Sequence, residues 1–203
     1  MRPLPVRDVG RLPTYAFGPR VPLWWGTLGF MVIEGLGLVF TVGAYFYLAG
    51  QNASWPIDPP PGLLWSGLFT ALLVLSEIPN TLVKRWAHGL DLRRVRLGVG
   101  LMALIGLAAI GLRCLELGSL NTRWDWNAYG SIVWALIVLH TAHLVTDVLE
   151  TVVVWVMLMA GPIDGRRFVD VIENQEYWDF VVLVWLPVYA TIYWAPHWIG
   201  SGG

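Results

Sequence analysis

Five long apolar runs, joined by connections too short to hold a folded unit of their own, decide most of what this chain can become. They cover residues 23–49, 62–83, 97–117, 130–160 and 178–196. The hydrocarbon core of a bilayer is about 30 Å thick and takes roughly 20 apolar residues of helix to cross. Backbone N–H and C=O groups find no water there, so such segments must satisfy them internally, as a helix does. The connections are dense in chain breakers, such as Ser54-Trp55-Pro56-Ile57-Asp58-Pro59-Pro60-Pro61-Gly62 and Gly161-Pro162-Ile163-Asp164-Gly165. The sequence therefore predicts an all-α fold: an integral membrane bundle of five transmembrane helices over residues 23–203, preceded by a basic segment over 1–22. Only 13% of the residues are charged, about half the share of a soluble domain.

Lys and Arg predict the orientation, because cytoplasmic loops carry an excess of them. Arg2, Arg7, Arg11 and Arg20 precede span one, Lys84, Arg85, Arg93, Arg94 and Arg96 lie between spans two and three, and Arg166 and Arg167 lie between spans four and five. Only Arg113 and Arg123 fall at the other side, so the N-terminus is expected in the cytoplasm and the C-terminus outside. Trp24, Trp25, Trp86 and Trp178 would then anchor the inner interface, and Trp55, Trp65, Trp124, Trp126, Trp194 and Trp198 the outer one. The first twenty residues hold four arginines and no short apolar core, so no cleaved signal peptide is expected. With a net charge of −1 the chain has no bulk field to gather nucleic acid, which is not expected as a partner. The basic inner loop suits anionic lipid headgroups or an acidic partner surface. A lone cysteine, Cys114, excludes an internal disulfide.

Ionisable groups at mid-membrane cost about 2.5–3.5 kcal/mol each on insertion scales, so a chain that keeps several must give them company. Span four keeps four: His140, His143, Asp147 and Glu150 recur at steps of three, four and three. At about 100° per residue they share one face of the helix. Span one adds Glu34, about 16 Å beyond Leu23 at 1.5 Å per residue. Three readings of this stripe stay open. It can be a hydrogen-bonded seam that holds helices in register, a set of groups that hold or conduct protons, or part of a metal or haem site. The depth of Glu34 predicts that it meets His140 or His143, while Asp147 and Glu150 would extend the seam toward the cytoplasm as proton-holding groups.

Elsewhere the expectations are plainer. Arg113 and Glu116, i and i+3 at the outer end of span three, predict a local ion pair. Glu77 lies about two turns from Lys84 and Arg85, so direct pairing is not expected, and snorkelling accounts for those bases. His88 and His197 are expected in solvent. No phosphate-binding loop, catalytic triad or cysteine pair is visible, and no catalytic residue is assigned.

Several short motifs then fall into a familiar order. Trp24-Trp25-Gly26 precedes Phe30-Met31-Val32-Ile33-Glu34; Trp55-Pro56 follows; span three ends in Gly111-Leu112-Arg113-Cys114-Leu115-Glu116. Asn127-Ala128-Tyr129-Gly130-Ser131 leads to Leu139-His140-Thr141-Ala142-His143, and Glu176-Tyr177-Trp178-Asp179-Phe180-Val181 is followed by Trp185. From about Trp24 to Trp198 the chain resembles subunit III of haem-copper terminal oxidases, in the five-helix form that lacks two additional N-terminal helices. It departs from that pattern at Arg113, where the family has Gln, at Asp147, where a small residue is common, at Asp179, which replaces His, and at Val182, which replaces a carboxylate.

The resemblance implies an accessory, non-redox subunit in a hetero-oligomeric respiratory complex. Haem and copper would reside in the catalytic subunit I, with a cupredoxin-like subunit II nearby, and the chain itself would hold no cofactor or metal but would bind phospholipid. It implies support of the catalytic subunit and of proton uptake in aerobic electron transport, in a bacterial cytoplasmic (inner) membrane. Alternatives are an accessory subunit of a nitric oxide reductase, a free-standing membrane metalloprotein or transporter built on the span-four stripe, and an assembly factor.

Overall fold

A computed structural model of the chain describes residues 15–161 and 164–199. Arg2, Arg7 and Arg11 of the expected basic segment lie outside the described residues. Among the described residues, five helices are long and apolar enough to cross a membrane. They are α1 (Pro22–Gln51), α2 (Leu63–His88), α3 (Leu92–Gly118), α4 (Ala128–Ala160) and α5 (Gly165–Tyr189), the last continuing through a π-helical turn (Ala190–Trp194) into α6 (Ala195–Ile199). Successive helices run in opposite directions. Helices α2, α3, α4 and α5 close a ring, each packing on its two neighbours, and α1 lies outside the ring against α4 and α5.

Local chemistry sets the helix ends. Pro22 opens α1 at a position where its missing N–H costs nothing. Asp91 caps α3 by accepting from Arg94 N at 3.2 Å, and Asn127 caps α4 by accepting from Gly130 N at 2.8 Å. Pro187 lies inside α5, where it cannot donate a helical hydrogen bond. The π turn follows directly and takes up the mismatch, and the Thr191 hydroxyl donates to the Pro187 carbonyl at 2.8 Å.

The ring is filled by Phe69 and Leu73 of α2, Met102 of α3, Leu136, Ile137 and Leu144 of α4, and Trp178 and Trp185 of α5, all buried. Association of helices in lipid depends on close packing rather than on expulsion of water, and α3 supplies the close approach. A Cβ on Gly106 would fall 2.6 Å from Val148 Cγ2 of α4. By contrast α1 turns Ile33, Val39, Phe40 and Tyr47 outward, each more than 60% exposed.

Two sequence expectations need correction. The fifth span starts at Gly165, thirteen residues before the expected position 178, because Glu173, Asn174 and Gln175 do not interrupt the helix but turn inward. Trp178 is therefore no interfacial anchor: it is 1% exposed and donates its indole N–H to Ser76 Oγ at 2.8 Å. Trp55 is also buried, with its ring edge-on to Tyr45 and Tyr129.

Candidate functional site

The stripe on α4 is real but divides into two environments. His140 sits in a sealed cluster. The Arg113 guanidinium of α3 donates through one nitrogen to Glu116 Oε2 at 2.6 Å and through another to His140 Nδ1 at 3.0 Å. It lies over the Phe69 ring at 3.8 Å and the Trp185 ring at 4.1 Å. Both aromatic faces attract a cation and cost it little solvation. Glu116 Oε1 accepts from the Tyr193 hydroxyl at 2.5 Å, and Tyr193 reaches it from the π turn of α5.

The tautomer of His140 follows from these partners. Arginine can only donate, so Nδ1 accepts; the other nitrogen, Nε2, lies 3.1 Å from the Val181 carbonyl oxygen, which can only accept. His140 is accordingly neutral, with its proton on Nε2. The cluster holds one cation and one anion and is buried throughout. The ion pair expected at the outer end of span three forms, but it lies in the core rather than at the surface.

The lower half of the stripe opens outward. Glu34 accepts from the Tyr177 hydroxyl at 2.5 Å, and its other oxygen lies 3.4 Å from His143 Nε2. Of the two histidines expected to meet Glu34, it is His143 that does so; His140 is committed to Arg113. Asp147 accepts from Asn174 Nδ2 at 3.2 Å, and Asn174 accepts in turn from Thr151 and Gln175. Asp147 Oδ2, His143 Nδ1 and both Glu173 oxygens are buried without a hydrogen-bond partner among the described residues. Glu150 and Glu173 face a groove of about 260 Å³ between α1, α4 and α5, with Thr27, Thr146 and Tyr177 also lining it. Tyr177 connects this groove to Glu34. Carboxylates, hydroxyls and an imidazole so placed can hold protons and exchange them with water entering the groove. Among the described residues no three His, Cys, Asp or Glu gather as a metal-ligand set.

A third cluster lies at the end of the bundle that carries Arg93 and Arg96. Lys84 pairs with Asp179 across α2 and α5, so the snorkelling expected of it is corrected: it turns to a carboxylate. Asn80 donates to Asp179 Oδ1 at 2.6 Å and to the Gln175 carbonyl at 3.1 Å. Asp179, one of the departures from the resembled pattern, thereby ties two helices together. Glu77 accepts from Asn80 Nδ2 at 3.3 Å.

At the other end the motifs build a platform. Asp58 accepts from Thr122 at 2.5 Å and from Asn127 at 2.9 Å, joining the α1–α2 and α3–α4 connections. A Cβ on Gly130 would lie 2.1 Å from the Arg123 carbonyl oxygen, so only glycine permits this approach of loop to helix. Ser131 Oγ donates to the Trp124 carbonyl at 2.7 Å.

The structure thus brings together Glu34 with His143, and His140 with Arg113 and Glu116, while Asp147 is held by Asn174 and Glu150 faces the groove. Tyr177, Tyr193, Asn174 and Glu173 were not anticipated. The signal for the α5 members was present: Asp170, Glu173, Asn174 and Tyr177 recur at helical spacing, ahead of the apolar run that begins at 178.

Comparison with known proteins bears on the whole chain. No family model matches it. It is similar to cytochrome c oxidase subunit 3 of Drosophila yakuba, 26% identical over 207 aligned positions that cover 93% of this chain and 76% of that protein. A probable cytochrome c oxidase subunit 3 of Nocardia farcinica is also 26% identical, over 83% of this chain and 85% of its own length. Cytochrome c oxidase subunit 3 of Glycine max is 26% identical over 87% of this chain and 68% of its own.

Proposed function

We propose, from the premise that this chain belongs to the subunit III family of haem-copper oxidases, that it serves as the non-redox accessory subunit of an oxygen-reducing respiratory oxidase. The observation that carries the reading is the extent of the likeness: relatives named cytochrome c oxidase subunit 3 match it along 93% of its length. The motif residues Glu34, Glu116, Tyr129, Gly130 and His140 are spent on the bundle's internal framework rather than on a catalytic centre. Haem and copper then belong to a catalytic subunit I, with a subunit II beside it, and bound phospholipid completes the assembly.

The reading has an orientation. With the bases of residues 84–96 and 166–167 facing the cytoplasm of a bacterial inner membrane, the groove at Glu150 and Glu173 lies in the cytoplasmic half. That side is where protons for oxygen reduction would be taken up, and the open half of the stripe supports such a role. Nitric oxide reductase is not favoured, since the relatives matched are cytochrome c oxidase subunits. A free-standing metalloprotein is not favoured either, since the described residues form no ligand set.

The test is gentle detergent purification through a tag on this chain. Co-elution of a haem-bearing subunit with the absorbance of a haem-copper oxidase is the expected result. A tagged chain that elutes without any haem protein, from cells respiring oxygen, would sink the reading. Removal of the chain should leave an oxidase that starts normally and loses activity over successive turnovers.

A further inference from the structure

We infer that the cleft between α3 and α4 is a binding site for one anionic phospholipid, its phosphate on Arg93 and Arg96 and one acyl chain along the leucines of α3. This deepens the reading of bound phospholipid above, and requires only that the chain lies in a bilayer. Two grooves meet end to end along this face. One, of about 470 Å³, runs beside Leu101, Leu104 and Leu107; the other, of about 480 Å³, runs beside Leu92 and Met159. They share Arg96, Leu97 and Trp155. From Leu92 to Leu107 at 1.5 Å per residue the cleft is about 22 Å long, about the reach of one extended fatty acyl chain.

The walls match such a guest in chemistry as well as length. Leu97 and Leu104 are 70% and 66% exposed, forming a ridge of i, i+4, i+7 spacing that the other helices leave open. The floor is flat because Trp155 lies against Gly100, where a Cβ would stand 2.7 Å from the indole nitrogen. The indole is fixed there by donating to the Arg96 carbonyl at 3.2 Å.

Arg96 is held in turn. Its Nε donates to the Leu158 carbonyl of α4 at 2.8 Å, which leaves the two terminal nitrogens of the fork for a ligand, and a guanidinium fork suits phosphate oxygens. Arg93 stands one turn away in the same groove. Neither arginine forms an ion pair with a carboxylate among the described residues, although Arg94 beside them pairs with Asp91 and Arg167 with Asp170. Two cations at one end of an apolar channel, Arg96 of them fixed by its helix contact, select an anionic headgroup over a zwitterionic one. They also argue against a partner helix, which would have to bring matching acids to the same depth.

The experiment uses the intact complex purified from membranes and exchanged into nanodiscs of mixed phosphatidylglycerol and phosphatidylcholine, with lipid retention read by native mass spectrometry. Phosphatidylglycerol should be retained in preference. The doubly substituted Arg93→Gln, Arg96→Gln complex should lose that preference, by about fivefold for each arginine. Leu104→Trp, which fills the channel and leaves both charges, should lower retention too, while Arg166→Gln at the same end should change nothing. A photo-crosslinking residue at position 104 should label lipid in wild-type background. Equal retention in all variants, loss in the arginine variant alone, or crosslinks running to a partner polypeptide would each overturn the site. None of these results would alter co-elution with haem, so the subunit assignment stands or falls separately.

Discussion

His140 and His143 are one turn apart on the same helix, yet they live under opposite rules. Around His140 every charge meets its opposite and the walls are aromatic: Arg113 is held by Glu116, by the imidazole and by two rings. Around His143 the charges repeat in sign. Glu34 lies against the imidazole, Asp147 one turn further on is held by an amide rather than a cation, and Glu150 and Glu173 line a groove with no arginine or lysine among its described lining residues; several polar atoms here lack partners among the described residues. A stripe of ionisable residues therefore has no single meaning, because the neighbouring helices decide whether it fastens or titrates. The sealed half has the composition of a fastener, and the open half that of a place where protons or water can enter.

The strongest way to break this contrast is to take the cation out of the sealed half. Arg113→Met leaves Glu116 and its tyrosine buried with an uncompensated charge, and loss of one partner of a buried pair costs about 3–5 kcal/mol. The midpoint of thermal unfolding of the purified complex should drop accordingly, and the chain should be lost from the complex on detergent washing. Arg113→Met combined with Glu116→Leu should recover most of the loss, since well-packed apolar pairs replace buried ion pairs at small cost. A single variant as stable as wild type would show that the pair fastens nothing.

A comparison of the two histidines sharpens the same point at smaller scale. His140→Leu strands an Arg113 N–H, an unmet buried group worth about 1–3 kcal/mol, while the Val181 carbonyl keeps its helical partner within α5. His143→Leu removes one 3.4 Å contact to a carboxylate that keeps its tyrosine. Its stability should fall by less than about 1 kcal/mol. Equal destabilisation by the two substitutions, read by the same unfolding assay, would erase the division.

Much of this was legible in the residues and part was not, for physical reasons. Apolar runs announce helices in lipid because nothing else satisfies their backbone, so spans one to four stand within a few residues of expectation at their ends in most cases. Span five was expected only from 178, where its apolar run begins, whereas the polar residues before it are part of the buried helix: Asn174 meets Asp147 and Thr151, and the Gln175 carbonyl meets Asn80. Periodicity placed the four stripe residues on one face, but periodicity says nothing about what a second helix brings to that face. Arg113 could be paired with Glu116 from spacing alone, while its contact with His140, twenty-seven residues away, depends on how α3 and α4 are set in the ring.

Next in size is the bridge between the two halves of α1 and α5. Tyr177→Phe deletes the hydroxyl that holds Glu34 and keeps the ring, which stacks on Phe30 at 6.0 Å. Hydrogen bonds to charged groups contribute about 1.5–3 kcal/mol, and Glu34 is near enough to the groove for water to take over part of that, so a loss of about 1 kcal/mol is expected. Since α1 lies outside the ring and packs mainly on α4 and α5, the change should appear first as faster proteolysis or hydrogen exchange of α1. Protection of α1 equal to wild type would mean that apolar contact alone holds it.

The smallest stability effect belongs to the substitution with the largest functional one. Asp147→Asn with Glu150→Gln keeps the shape of both side chains and the Asn174 contact, and relieves repulsion among carboxylates at the groove. Unfolding should move by no more than about 0.5 kcal/mol, the range of substitutions that break no network. If the open half takes part in proton uptake, turnover of the complex should nevertheless slow, most at high pH where protons are scarce and a group able to hold one matters most. The pH–rate profile of the doubly substituted oxidase would then fall away from that of wild type as pH rises. Coincident profiles would reduce the open half to packing, and the difference between the two halves of α4 would be one of burial alone.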